Sequence, residues 1–198
     1  MPVLPCVRNE PSRGTPRDSV MGGMRPHKPG ELIQIDHMTV TKNGRSFKHF
    51  QAWDPLTKII IADITTNATS AAAAQFLEKV QDQLPFQINS IQVDGGSEFM
   101  RDFEKSCAQK NIPLFVLPPK RPHWNGGVER GNRTFREDFY ARKDVLGNTL
   151  QELQKELKSA VHKYNTYRPH QSLKGLTPLQ YTHTFLENSL SNSESHML

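Results

Sequence analysis

Cysteine is nearly absent: Cys6 and Cys107 are the only two in 198 residues, far apart and without a CxxC partner. This excludes a disulfide framework and a structural zinc site, and it fits a reducing compartment. Long apolar runs are missing as well. No window approaches the roughly 18 consecutive apolar residues of a membrane-spanning helix, and no signal-peptide pattern opens the chain. The expectation is a cytoplasmic protein with no membrane partner. No internal repeat is present, so a repeat array is excluded too.

What the chain has is an uneven charge. The formal net charge is +5, but residues 116–175 carry twelve Lys and Arg against six Asp and Glu. Residues 1–115 carry thirteen against twelve. A basic second half on a near-neutral first half marks a nucleic-acid face or a merely solubilising one.

Residues 1–30 are rich in Pro, Arg, Ser and Gly without apolar periodicity, and read as a disordered linker or arm. Strands are predicted at Glu31–Val40, Phe47–Trp53 and Lys58–Ile64, the last two joined by the Asp54-Pro55-Leu56-Thr57 turn into an antiparallel hairpin. Thr69 caps a helix with Ala73, Phe76, Leu77, Val80 and Leu84 on one face, and Pro85 ends it. Ile88–Val93 reads as a strand, Ser97–Gln109 as a short helix and Pro113–Leu117 as a strand. The basic run Pro118–Trp124 then leads to Asn125, a cap, and to a helix carrying Val128, Phe135 and Phe139. A long final helix opens at the capping box Thr149/Glu152. The core is expected over 31–183, with a disordered Asn/Ser-rich tail at 184–198. This order predicts an α/β, ribonuclease H-like fold: a five-stranded mixed sheet, three antiparallel strands followed by βαβα units, with helices on both faces.

Three acids stand out. Asp36 interrupts the most apolar strand, Asp94 follows Ile91-Gln92-Val93 at a strand's C-terminal end, and Glu129 sits in the first turn of a helix. Each has an ordinary alternative: a Lys partner for Asp36, a turn cap for Asp94, a helix-dipole contact for Glu129. As a set, carboxylates without Cys or His support are the donors of Mg²⁺ or Mn²⁺, and two such ions about 3.5–4 Å apart serve in-line phosphoryl displacement.

Asp36, Asp94 and Glu129, with thirty-four residues between the last two, resemble the DDE triad of retroviral-type integrases and bacterial insertion-sequence transposases. Val93-Asp94-Gly95-Gly96-Ser97-Glu98-Phe99 and Asn125-Gly126-Gly127-Val128-Glu129-Arg130 are similar to the family's segments around its second Asp and its Glu. Tyr164-Asn165, Arg168-Pro169-His170, Ser172-Leu173, Gly175 and Thr177-Pro178 resemble the C-terminal signature of insertion-sequence transposases. The resemblance covers roughly residues 30–182. It implies a catalytic core with Asp36, Asp94 and Glu129 as catalytic and metal-binding residues, hydrolysing the 3′ ends of a mobile element and joining them to target DNA. It further implies two Mg²⁺ or Mn²⁺ ions, a homo-oligomer, and a bacterial, nucleoid-associated setting. Full-length relatives carry an N-terminal helix-turn-helix module, and nothing before Glu31 reads as one. The expectation is either an active core, served by a separately encoded recognition subunit or inactive alone, or a truncated remnant that binds DNA or an intact transposase without catalysis.

Lys120, Arg121, Arg130, Arg133, Arg136 and Arg168 are the candidate DNA contacts. Arg133 and Arg136 share a helix face with Glu129 and would otherwise pair with it. Arg168 and His170 have an equal alternative in fixing the turn at Pro169. Glu98 is read as a helix-dipole residue or an auxiliary acid, and Trp124 as a packing anchor or a stacking platform.

Overall fold

The computed structural model describes residues 26–118, 126–142, 147 and 149–194. Strands β1 (Ile33–Lys42), β2 (Arg45–Trp53) and β3 (Ile60–Thr65) form an antiparallel run. Helix α1 (Ser70–Gln83), β4 (Ile91–Val93), α2 (Asp102–Gln109) and β5 (Leu114–Val116) come next. The sheet order is β3-β2-β1-β4-β5, with β4 parallel to both β1 and β5. After the sheet come α3 (Gly126–Phe135), α4 (Leu150–Tyr167) and α5 (Pro178–Glu194). The five-stranded mixed sheet and its hairpin stand as the sequence implied.

Local chemistry explains the elements. Asn43 and Gly44 both take positive φ, 51° and 73°, the geometry of a two-residue hairpin loop between β1 and β2. Asp54 organises the next turn by accepting from the backbone N–H of Leu56 (2.9 Å) and Thr57 (2.7 Å). Thr69 accepts from Ala72 N–H at the start of α1, and Thr149 and Glu152 form the reciprocal capping box of α4.

Alternation along the strands splits the core in two. Ile33, Ile35, Phe50 and Ile91 pack with α1 and Phe103 on one face. Met38, Val40, Ile60 and Ile64 pack with Phe135, Phe139 and the α4 residues Leu153, Leu157 and Val161 on the other. The border strand β3 is closed by α4: Asn165 donates to Ile60 O (2.7 Å) and accepts from Ile60 N–H (3.0 Å), and Gln154 donates to Ile64 O (2.8 Å).

Four sequence expectations change. Ser97–Gln109 is not one helix: a 3₁₀ turn, Ser97–Phe99, is separated from α2 by Arg101 at φ 50°. The break lets Glu98 and Phe99 both turn inward, Glu98 towards β1 and Phe99 into the core. The helix after Gly126 does not stay regular; Arg136–Tyr140 widens to a π turn, with Ala141 N–H bonded to Arg136 O at 3.0 Å. The arm expected through residue 30 is already packed from Pro26, and Gly30 N–H donates to Asp54 (2.8 Å). The tail expected to be disordered from 184 is helical through Glu194. Its start is a second capping box, Thr177 with Gln180, and Thr184 and Ser189 return their hydroxyls to the preceding turn of α5.

Candidate active site

The register of the parallel pair places two of the acids. Ile33 stands opposite Ile91 and Gln34 opposite Gln92, so two residues further on Asp36 and Asp94 are level where β4 leaves the sheet. Asp36 lies on the face covered by α3. Its Oδ2 accepts from Asn132 Nδ2 (2.8 Å) and its Oδ1 from His37 N–H (2.8 Å). Asp94 is exposed and accepts from Gly96 N–H (3.0 Å), an Asx turn that aims the loop.

Glu129 is delivered by α3, whose first turn is fastened to the sheet by two glutamines. Gln51 donates to Val128 O (3.1 Å), and Gln34 accepts from Val128 N–H (3.3 Å). Two glycines permit the approach. A Cβ on Gly127 would collide with the Trp53 ring, and one on Gly131 with Gln51 Nε2. Trp53 is therefore the anchor under this turn; Trp124, Asn125, Lys120 and Arg121 lie outside the described residues.

The three acids share one field. Burial pushes the Asp36 carboxyl up, the His37 backbone N–H opposes it, and the negative charges of Asp94 and Glu129 add to the rise, which reaches about 6. Among the described residues no three His, Cys, Asp or Glu side chains are closed into a metal-holding group. The acids come from three elements, and the charges of Asp94 and Glu129 are both felt at Asp36.

Glu98 takes a role that neither sequence reading foresaw. It is buried, and its Oε1 lies 2.7 Å from Nδ1 of His37, on the opposite face of β1 from Asp36. The contact holds Glu98 below its usual range and raises His37, so both charges are favoured. His37 also packs against Phe50 (5.6 Å) and Phe99 (6.5 Å). The loop carrying Asp94 is thereby tied to the strand carrying Asp36.

The described cations disperse. Arg136 Nη2 reaches Met38 Sδ (3.7 Å), over the strand that bears Asp36, and Arg133 is exposed. No ion pair joins Glu129 to Arg133 or Arg136 among the described residues. Arg130 turns towards Lys58 and Tyr164, whose ionisation it affects. Arg168 pairs with Asp138 (2.5 Å) and lies 5.6 Å over the Tyr164 ring. The backbone at position 170 closes the turn after Pro169: its N–H donates to Leu176 O (3.0 Å), and its carbonyl accepts from Leu173 and Gly175 N–H.

Sheet order and covering helices define an α/β fold like that of integrase catalytic cores, ribonuclease H-like. Residues 110–178 match the integrase core domain family, a span that holds β5, α3 and α4, about a third of the chain. The simian T-cell lymphotropic virus intasome chain, solved with a PP2A regulatory subunit, superposes with a TM-score of 0.72 at 21% identity. That match covers 90% of this chain, which spans 62% of the viral one. The HTLV-2 integrase catalytic core domain, solved with magnesium in a trimeric form, gives 0.67 at 17% identity over 80% of this chain and 100% of its own. The BIV integrase catalytic core gives 0.59 at 19% identity, covering 83% of this chain and 99% of the BIV domain. A search of curated proteins returns no match.

Proposed function

We propose that this chain is the catalytic core of an insertion-sequence transposase, a polynucleotidyl transferase that hydrolyses the 3′ ends of a mobile element and joins them to target DNA. The reading is supported by the level position of Asp36 and Asp94 at the C-terminal edge of the parallel strands, with the charges of Asp94 and Glu129 both raising the Asp36 carboxyl. An all-oxygen donor set with mutual repulsion suits a hard divalent cation, and a magnesium-bound core among the similar structures supports the choice. Asp36, Asp94 and Glu129 would hold two Mg²⁺ or Mn²⁺ ions. When bound, these supply activation of the attacking oxygen and neutralisation of charge on the phosphoryl group and leaving oxygen.

The chain's own residues do the rest. Asn132 and the His37 N–H fix the Asp36 carboxylate, so that its remaining lone pairs point outward. The Gly96 N–H aims Asp94, and the His37–Glu98 pair keeps its loop on the sheet. The two glutamines seat the helix turn that bears Glu129. Arg133 of α3 and Arg136 of the π turn, both exposed, would take backbone phosphates. Joining two element ends calls for at least two copies of the core, and recognition of those ends for a helix-turn-helix module, in this chain or a separate one.

The test is Mg²⁺-dependent strand joining on a branched DNA substrate, with Asp94→Asn beside wild type. The variant should fold with an unchanged far-UV spectrum and show no turnover. An equally active variant would remove Asp94 from the mechanism; a wild type that binds branched DNA without ever cutting or joining it would favour a non-catalytic remnant.

A further inference from the structure

Some 330 Å³ of open volume lies between α3 with its π turn and α4, away from the three acids. Its floor is aromatic. Phe135, Phe139 and Tyr164 line it, with the Phe135 and Tyr164 rings 6.0 Å apart and tilted by 36°. Its rim is cationic, with Arg142, Lys163 and Arg168 facing a single carboxylate, Asp138. Arg168 pairs with that carboxylate directly, and Lys163 stands exposed beside them. Tyr167, at the lip, is 71% exposed, its ring set edge-on to His162 at 6.2 Å.

Lys58 lies 4.8 Å over the Trp53 ring, beneath the first turn of α3. Thr134, which lines the cleft, is five residues past Glu129, or about 7.5 Å along the helix axis.

We propose that this cleft binds an unpaired DNA strand, stacking a base on Tyr167 and holding the flanking phosphates on Lys163 and Arg168. A single strand offers what the cleft is built for: flat apolar faces between regularly spaced anions. A duplex keeps its base faces stacked internally and has only phosphates to offer here. The cleft would hold the strand freed beside the cut. The inference rests on the proposed function only in taking DNA as the ligand.

The test is fluorescence anisotropy with labelled oligodeoxythymidine and a duplex of equal length, in EDTA, over a range of salt, on the full chain. Tyr167→Ala should weaken oligothymidine binding about tenfold, with Tyr167→Phe restoring it and duplex binding hardly changed. Lys163→Ala should lower the slope of log affinity against log salt by about 0.7. Arg168 is left for last because its Asp138 contact ties the two walls together; Arg168→Lys keeps the charge and should bind like wild type. Wild-type affinity in both Tyr167→Ala and Lys163→Ala would overturn the proposal, as would equal weakening for single strand and duplex. So would a Tyr167→Ala variant that changes only self-association, which would make the cleft a contact between copies. Because EDTA keeps metal out of the binding assay, the two readings fail separately. Tyr167-dependent binding by a chain that joins no DNA keeps this inference and removes the enzyme. Joining that is indifferent to Tyr167 does the reverse.

Discussion

His49 shows how much one buried side chain can tie to pH. It is fully buried on β2, and burial drives its imidazole down to about 3. Tyr140, held protonated by its own burial, shares a hydrogen bond of 2.8 Å with Nδ1 of the neutral ring. In the unfolded chain the ring titrates near 6.5. Below that pH the unfolded state takes up a proton that the native state refuses until about 3. This group therefore subtracts about 1.4 kcal/mol of stability per pH unit as pH falls from 6.5, and contributes no pH dependence above it. Urea unfolding at pH 7, 6, 5 and 4 should show that decline in wild type and a flatter one in His49→Gln; parallel curves would contradict it. Residues of this kind were the least legible in the sequence. Asp36, Asp94 and Glu129 announce themselves because a carboxylate in an apolar strand or beside paired glycines is locally odd. Glu98 does not, since its partner His37 lies sixty-one positions away and only the fold brings them together.

Helix α3 is fitted to the sheet by what two of its positions lack. Gly127 is pressed against Trp53, and Gly131, one turn on, against Gln51. By helix propensity alone, Gly127→Ala should stabilise the helix by about 0.5–1 kcal/mol. Packing reverses the sign, because the new methyl must displace an indole ring, and overpacking of this kind costs about 1–3 kcal/mol. Denaturant unfolding should therefore find Gly127→Ala less stable than wild type, and strand joining should fall with it as Glu129 shifts; a gain in stability would show that Trp53 yields freely. Elements with their own signals were readable in advance: the Thr69 cap, the Thr149/Glu152 box and the Asp54 turn are all in place. The signal of α5 was equally present in Thr177 and Gln180 but was masked by the Asn and Ser content of the residues beyond Phe185. The π turn had no local signal. It answers a tertiary demand, keeping Phe135 and Phe139 both on the sheet while Tyr140 reaches His49.

At the scale of the whole molecule, the order of strands and helices was enough to predict the sheet, since an antiparallel run succeeded by two βα units leaves few right-handed solutions. What order alone could not supply is how the sheet ends. Along β3 the terminal hydrogen bonds go to side-chain amides, Asn165 on Ile60 and Gln154 on Ile64, rather than to another strand. The two amides act as a selvedge, finishing the fabric so that no further thread can be woven in. Intermolecular strand addition at Ile60 must first evict Asn165, so copies crowded together keep their sheets from fusing. Asn165→Leu, similar in volume but with nothing to offer the border, should stay folded in dilute solution and scatter light on concentration while wild type remains clear. If it concentrates as cleanly as wild type, that border is guarded by something other than its amides.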